Sequence, residues 1–246
     1  MKLALVTGGF RRLGAAIAAR LASDGWTLAL HCREAAEPDH ELAAILALHK
    51  TQWQGFSCDL ADGVAVSGLL ERVVRHFGTS PELIVNNASR FAADDATSLT
   101  PGELSAHMAV NLSAPVLLAT GMAALLDMGN TGVVINITDQ RVRHPNGDQL
   151  SYTLSKQALA AATTTLARVL APKVRVNAVA PGYMATDNTA PLRQDAQRSS
   201  EILSRIPAER WGTPEDLQGA VVFLSSSAAD YVNGYTLAVD GGWLCR

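Results

Sequence analysis

Cysteine is scarce and poorly placed for pairing. Cys32, Cys58 and Cys245 are odd in number, widely spaced and form no C-x-x-C, which argues against a disulfide framework and a structural zinc and suits a reducing cytoplasm. Charge is sparse as well: 17% of residues are charged, with a net charge of −3 and a pI near 6.1, so there is no basic footprint for nucleic acid. No apolar run approaches the roughly 20 residues needed to span a bilayer. No signal peptide is expected, because Met1-Lys2 leads straight into the apolar run Leu3–Val6. The six histidines are scattered without metal-ligand spacing, so no metal site is expected. No Pro/Gly/Ser-rich linker and no solenoid repeat divides the chain. The expectation is one soluble, cytoplasmic domain over residues 1–246, with no nucleic-acid or membrane partner.

What is present is a hydrophobic content of 48% and a regular alternation of strand and helix patterns. Strand-like runs lie near 2–6, 26–31, 52–57, 82–86, 132–137, 173–179 and 235–239. Helical patterns run from Leu13 to Ala22, Leu42 to His49, Val64 to Phe77, Leu104 to Leu126, Tyr152 to Leu170 and Pro214 to Ser226, the last capped by Thr213. Repeated β-α units predict an α/β fold: a single-domain, Rossmann-type, doubly wound parallel sheet with helices on both faces. The polar stretch 182–207 reads as a substrate-binding lid.

The turn Thr7-Gly8-Gly9-Phe10-Arg11-Arg12-Leu13-Gly14 joins the first strand to the first helix. Gly8 and Gly9 permit a tight turn against a phosphate, and Gly14 lets the helix sit close to the sheet. Helix N-terminal amides then face a pyrophosphate. Gly8, Phe10, Arg11, Arg12 and Leu13 are therefore candidate cofactor-binding residues. The second strand ends in His31-Cys32-Arg33. Where an acidic tip would accept hydrogen bonds from a ribose, Arg33 and Arg11 suit a 2′-phosphate, and His31 lies beside them. NADPH is expected over NADH, with Glu34 as the dissenting residue.

The stretch Thr138–Ala160 is expected to carry the chemistry. The β-branched run Val133–Ile137 leads to the carboxylate of Asp139, a loop with turn residues Pro145, Asn146 and Gly147 follows, and a helix begins near Ser151 as its cap. Tyr152 and Lys156 then share one helical face. An ammonium beside a phenol favours the phenolate, so Lys156 is expected to lower the Tyr152 pKa and make it an acid/base group.

These pieces together resemble the short-chain dehydrogenase/reductase family over nearly the whole chain. Thr7-Gly8-x-x-x-Arg12-x-Gly14 is similar to its glycine motif, with Arg12 where most members have Gly. Asp59-Leu60 resembles the pair that meets adenine, and Asn86-Asn87-Ala88-Ser89 the signature after the fourth strand. Asn111 resembles the asparagine that orders a proton relay, and Tyr152-x-x-x-Lys156 the acid/base pair. Pro181-Gly182, with Thr186 beyond, resembles the segment at the nicotinamide, and Asp240-Gly241-Gly242 the terminal motif. The resemblance implies NADPH contacts from Asp59, Leu60, Asn87, Ala88, Ser89, Lys156, Pro181 and Gly182. It also implies a homotetramer.

One departure is informative. Asp139 occupies the place of the usual serine, and a carboxylate donates a hydrogen bond only when protonated. With Arg12 and Asn87-Ala88-Ser89-Arg90-Phe91, this resembles the pteridine reductases, in particular a bacterial dihydromonapterin/dihydrofolate reductase branch. That likeness implies hydride transfer to a dihydropterin lying against Phe91, with Arg12, Ser89, Asp139, Tyr152 and Tyr183 as substrate contacts and Arg246 reaching a neighbouring subunit's site. Phe91 packing in the core is an equal reading. The alternative function is an NADPH-dependent reductase of a ketone, sugar or 3-oxoacyl substrate, with Thr138 as a stand-in hydroxyl. A non-catalytic NADPH-binding regulator is a remote third.

Overall fold

The computed structural model describes residues 2–145 and 147–245. Its centre is a seven-stranded, wholly parallel sheet made of β1 (Leu3–Thr7), β2 (Thr27–Cys32), β3 (Trp53–Ser57), β4 (Leu83–Asn86), β5 (Gly132–Ile137), β6 (Val174–Pro181) and β7 (Thr236–Val239). The spatial order is β3-β2-β1-β4-β5-β6-β7. The order reverses between β1 and β4, and at that switch point both strands' carboxyl ends open into one crevice. Parallel strands need crossover helices, which cover both faces, so β1 and β4 are buried throughout and read as continuous apolar runs.

Alternate strand residues feed two cores. Leu3, Leu5, Ile84 and Val134 pack against α3 (Gly63–Phe77) and α5 (Ala114–Leu125). Ala4, Val6, Val85 and Ile135 pack against α1 (Arg12–Ser23), α2 (His40–Leu48) and α9 (Gln218–Ser225). Helix caps are local in origin. Asp62 accepts from Val64 and Ala65 at the start of α3, and Gly78 ends it at φ 74°. Thr213 and Asp216 form a capping box before α9, as the sequence predicts.

Three expectations change. The helix predicted from Leu104 starts earlier, as α4 (Pro101–Met108) capped by Thr100, and a π-turn at Ala109–Ser113 joins it to α5. The whole segment Pro101–Leu125 is long and apolar enough to cross a membrane by length and composition. No apolar run of that length was expected; within the segment Glu103 accepts from Arg90 and His107 Nε2 accepts from Ala92 N. Second, the stretch 182–207 is built rather than irregular, with α7 (Ala190–Gln194) and α8 (Ala196–Leu203) inside it. Third, α6 (Leu150–Leu170) is capped by the distant carboxylate of Asp94, and Ser151 lies buried within it.

Candidate active site

The crevice is shaped by the turn after β1. Gly8 sits at φ 62°, and a Cβ on Gly14 would run into the Gly8 carbonyl and approach the Asn87 amide nitrogen to 2.6 Å. Only glycine at 14 lets α1 close on the turn. Thr7 Oγ1 accepts from the backbone N–H groups of Asn87 and Ala88, both at 3.0 Å, while the Asn87 amide donates to the Thr7 and Gly8 carbonyls. The strand ends of β1 and β4 are thereby locked together at the switch point. The N-terminus of α1 lies beside them, with the amide orientation a pyrophosphate requires.

Several predicted cofactor residues have side chains that also build the protein around the crevice. His31 is buried; its Nδ1 accepts from Gly8 N at 3.3 Å and its Nε2 lies 2.8 Å from the Cys58 carbonyl. Burial lowers its pKa, so this neutral ring shapes the glycine turn rather than facing a phosphate. Phe10 is likewise a core residue, edge-on to Trp53, and Leu60 is buried. Leu13 packs against the core edge. Arg12 holds φ 54°, where glycine is favoured, and pairs with Asp187 at 2.9 Å. The exposed Arg33 meets Glu34 at 3.2 Å, while Arg11 and Asp59 are exposed at the crevice edge. Pro181 ends β6, and a Cβ on Gly182 just beyond it would approach Asp240 Cα to 2.7 Å.

The centre of the site comes from β5 and α6. Tyr152 Oη donates to Asp139 Oδ2 at 2.8 Å, and Arg141 N donates to Asp139 Oδ1 at 2.9 Å. Lys156 Nζ donates to the Ile137 carbonyl at 2.7 Å and lies 5.8 Å from the Tyr152 ring centroid. Burial raises the Asp139 pKa against these hydrogen bonds and the Arg141 and Lys156 charges. Burial, and next the Asp139 charge, hold the Tyr152 pKa well above its ordinary value. Burial lowers that of Lys156 to about 8. The expectation that Lys156 depresses the phenol pKa is thus corrected: burial first, and the Asp139 charge and hydrogen bond next, keep the phenol protonated.

Asn111 is spent on neighbours. Its Oδ1 accepts from Ser89 Oγ and Arg90 N, and its Nδ2 donates to the Arg90 carbonyl and Ser155 Oγ. Its side chain therefore fixes the segment after β4 to α6. Arg90 makes a bidentate pair with Glu103, and Phe91, 45% exposed, stands edge-on to Tyr152 with centroids 4.7 Å apart. Thr138 Oγ1 turns away to the Val179 carbonyl at 3.0 Å, so it does not stand in for the missing hydroxyl. The Tyr183 ring packs edge-on against Trp211 and Trp243. These contacts anchor the base of the stretch 182–207. Arg246 and Asn146 lie outside the described residues.

Sequence reasoning missed Asp94 and Arg141. Asp94 Oδ1 accepts from Ser151 N at 3.0 Å and its carbonyl from Leu150 N at 3.2 Å, capping α6 from 57 positions upstream. No local motif marks such a cap. Among the described residues no cluster of His, Cys, Asp or Glu is arranged to hold a metal.

Comparison with known proteins gives this geometry a context. The sequence matches the family described as enoyl-(acyl carrier protein) reductase over residues 10–244. It is 40% identical to the 2-dehydro-3-deoxy-D-gluconate 5-dehydrogenase of Escherichia coli K12, covering 100% of this chain and 96% of that one. An NADP-bound crystal structure from Agrobacterium tumefaciens, provisionally named a 2-deoxy-D-gluconate 3-dehydrogenase, is 39% identical. It superposes with a TM-score of 0.91 over 100% of this chain and 97% of that one. The NADP complex of FolM alternative dihydrofolate reductase 1 from Brucella canis is 34% identical, with a TM-score of 0.85 over 100% and 95%.

Proposed function

The chain belongs to the short-chain dehydrogenase/reductase family, and from that premise we propose that it reduces the carbonyl of a sugar acid or a related hydroxylated ketone with NADPH. Its general activity is that of an NAD(P)-dependent oxidoreductase of this family. The observation that carries the direction is the 2.8 Å hydrogen bond from the Tyr152 phenol to Asp139. A phenol kept protonated by burial and an adjacent carboxyl is an acid ready to protonate an alkoxide as it forms.

The residues around the crevice fit the cofactor. Gly8 and Gly14 leave room for a pyrophosphate beside the α1 N-terminus, and Arg11 and Arg33 supply cations where a 2′-phosphate would lie. When bound, NADPH supplies the hydride. The protein's part is proton transfer: Tyr152 O–H, turned from Asp139 to the substrate, gives its proton to the substrate oxygen, and the phenolate regains one through the Asp139 carboxylate after that group has taken a proton from solvent. Lys156, anchored on the Ile137 carbonyl, holds positive charge beside that phenolate.

The substrate class rests on full-length similarity to sugar-acid dehydrogenases, which places this reading ahead of the dihydropterin favoured by the motifs. The pterin reading keeps second place on two particulars. A carboxyl rather than a hydroxyl faces the phenol, which suits protonation of a ring nitrogen. The exposed Phe91 also offers a flat aromatic platform beside Tyr152. Oxidation of NADPH followed with keto sugar acids, neutral ketoses, dihydrobiopterin, dihydromonapterin and dihydrofolate separates the two. Turnover confined to the pterins would put the dihydropterin first. The homotetramer common in the family is proposed too, and a monomer by light scattering would remove it.

A further inference from the structure

The guanidinium groups around the crevice are unequal in availability. Arg12 is paired with Asp187, Arg90 with Glu103 and Arg210 with Asp216. Arg141 has no carboxylate partner within ion-pair distance among the described residues, yet it is the arginine that touches the catalytic pair. Its Cζ lies 5.7 Å from the Tyr152 ring centroid, and its backbone N–H holds Asp139. One guanidinium nitrogen, Nη1, donates to the Asp148 carbonyl at 3.0 Å. This steadies the side chain across the loop and leaves the rest of its donor fork uncommitted. A planar fork fixed by one bond and stacked toward an aromatic ring is preorganised to take a carboxylate.

We propose that Arg141 is the specificity residue that binds the carboxylate of an acidic substrate while its carbonyl meets Tyr152, an assignment that rests on the sugar-acid reading above. The length scale agrees. In a gluconate acted on at carbon 5, four C–C bonds of ~1.5 Å separate the carboxyl carbon from the reacting carbon, an extended span of roughly 5 Å. The guanidinium carbon lies 5.7 Å from the phenol ring centroid, so a chain of that length, with a hydrogen bond at each end, can bridge the two groups. Arg143 and His144, on the same loop, are exposed and have no contact with Tyr152 or Asp139, so they are the natural controls.

The test compares 5-keto-D-gluconate with its neutral carboxamide on the full-length enzyme. Each is measured as a substrate and, where it is not turned over, as a competitive inhibitor of whichever panel substrate is reduced. In the wild type the acid should bind more tightly than the amide, with a preference that weakens as salt is raised. In Arg141→Gln that preference should fall by about ten- to a hundredfold. Arg141→Lys should restore part of it, and Arg143→Gln should leave it in place. Absence of any acid preference in the wild type, or its survival in Arg141→Gln, overturns the assignment. If the acid is preferred and loses its advantage in Arg141→Gln but is never reduced, the subsite stands and the sugar-acid activity falls.

Discussion

The Tyr152 phenol donates its hydrogen bond to Asp139, not to a serine, and the Lys156 ammonium beside it points to the Ile137 carbonyl. The phenol proton thus lies between two oxygens buried between β5 and α6, with the ammonium as a neighbour of the pair. Five expectations follow from this arrangement and from the elements that hold it.

Tyr152→Phe removes the proton donor and keeps the ring that Phe91 packs against. Turnover should fall by about 10²–10⁴-fold, with NADPH affinity by fluorescence titration changed less than about twofold. Retained turnover would remove Tyr152 from the mechanism.

Asp139→Asn separates activity from stability. Burial raises the folded-state pKa of Asp139, so the native state holds its proton more firmly than the unfolded chain does. The stability this group contributes is complete below the unfolded pKa and lost as pH rises through the folded one. The asparagine variant should therefore lose turnover, yet gain a few degrees in Tm at neutral pH, about 1 kcal/mol for a chain of this size. That advantage should disappear in acid. A Tm below the wild type at neutral pH would contradict burial as the origin of the shift.

Lys156 has the opposite sign. Its pKa drops from 10.5 to about 8 on folding, so between those values the unfolded chain holds the proton and the native state does not. Stability from this group rises with pH across that window and is lost as pH falls through about 8. The difference in unfolding free energy between wild type and Lys156→Met, followed by urea denaturation, should grow in favour of the wild type from pH 8 to 10.5.

Asp94→Ala strips the cap from the helix that carries both Tyr152 and Lys156. We expect about 1–2 kcal/mol of lost stability together with a lower kcat, since the first turn of α6 sets the position of the phenol. Asp94→Asn, which keeps an acceptor, should recover most of both.

Gly14→Ala tests the crevice. A Cβ there meets the Gly8 carbonyl and the Asn87 amide, neither free to move because both are bonded across the β1–β4 junction. A loss of about 2–4 kcal/mol is expected, with NADPH affinity weakened in whatever protein folds. Wild-type thermal stability would show that the junction is softer than its hydrogen bonds indicate.

Much of this architecture was legible in the chain. Strand runs such as Leu3–Val6 and Val133–Ile137 announce a buried parallel sheet because both faces are covered, and the spacing of Tyr152 and Lys156 is a local helical fact. Other features were illegible because they depend on partners distant in sequence. His31 reads as a charged strand tip until Cys58 and Gly8 are seen to occupy its ring. The tether that the Asn111 amide makes to Ser89, Arg90 and Ser155 is likewise invisible in the residue order. Asp94 shows no cap signature at all, since the Ser151 amide it accepts from lies 57 residues later. The direction of the Tyr152 shift also depended on burial depth, which the residue order does not encode.

The π-turn at Ala109–Ser113 sets a counting rule for the chain. A wider turn takes up one residue more than regular winding would, so the halves before and after it are rotated out of phase. Glu103 and His107 can then serve the segment after β4, pairing with Arg90 and accepting from Ala92 N, while Leu118 and Met122 face the sheet. Deleting a single residue at this turn would restore an unbroken spiral and swing one half by about 100°, trading either the Arg90 and Asn111 tethers or the apolar seam. The local irregularity is what allows a single rod to satisfy two incompatible directions, and its length is therefore less free to vary than that of any neighbouring loop.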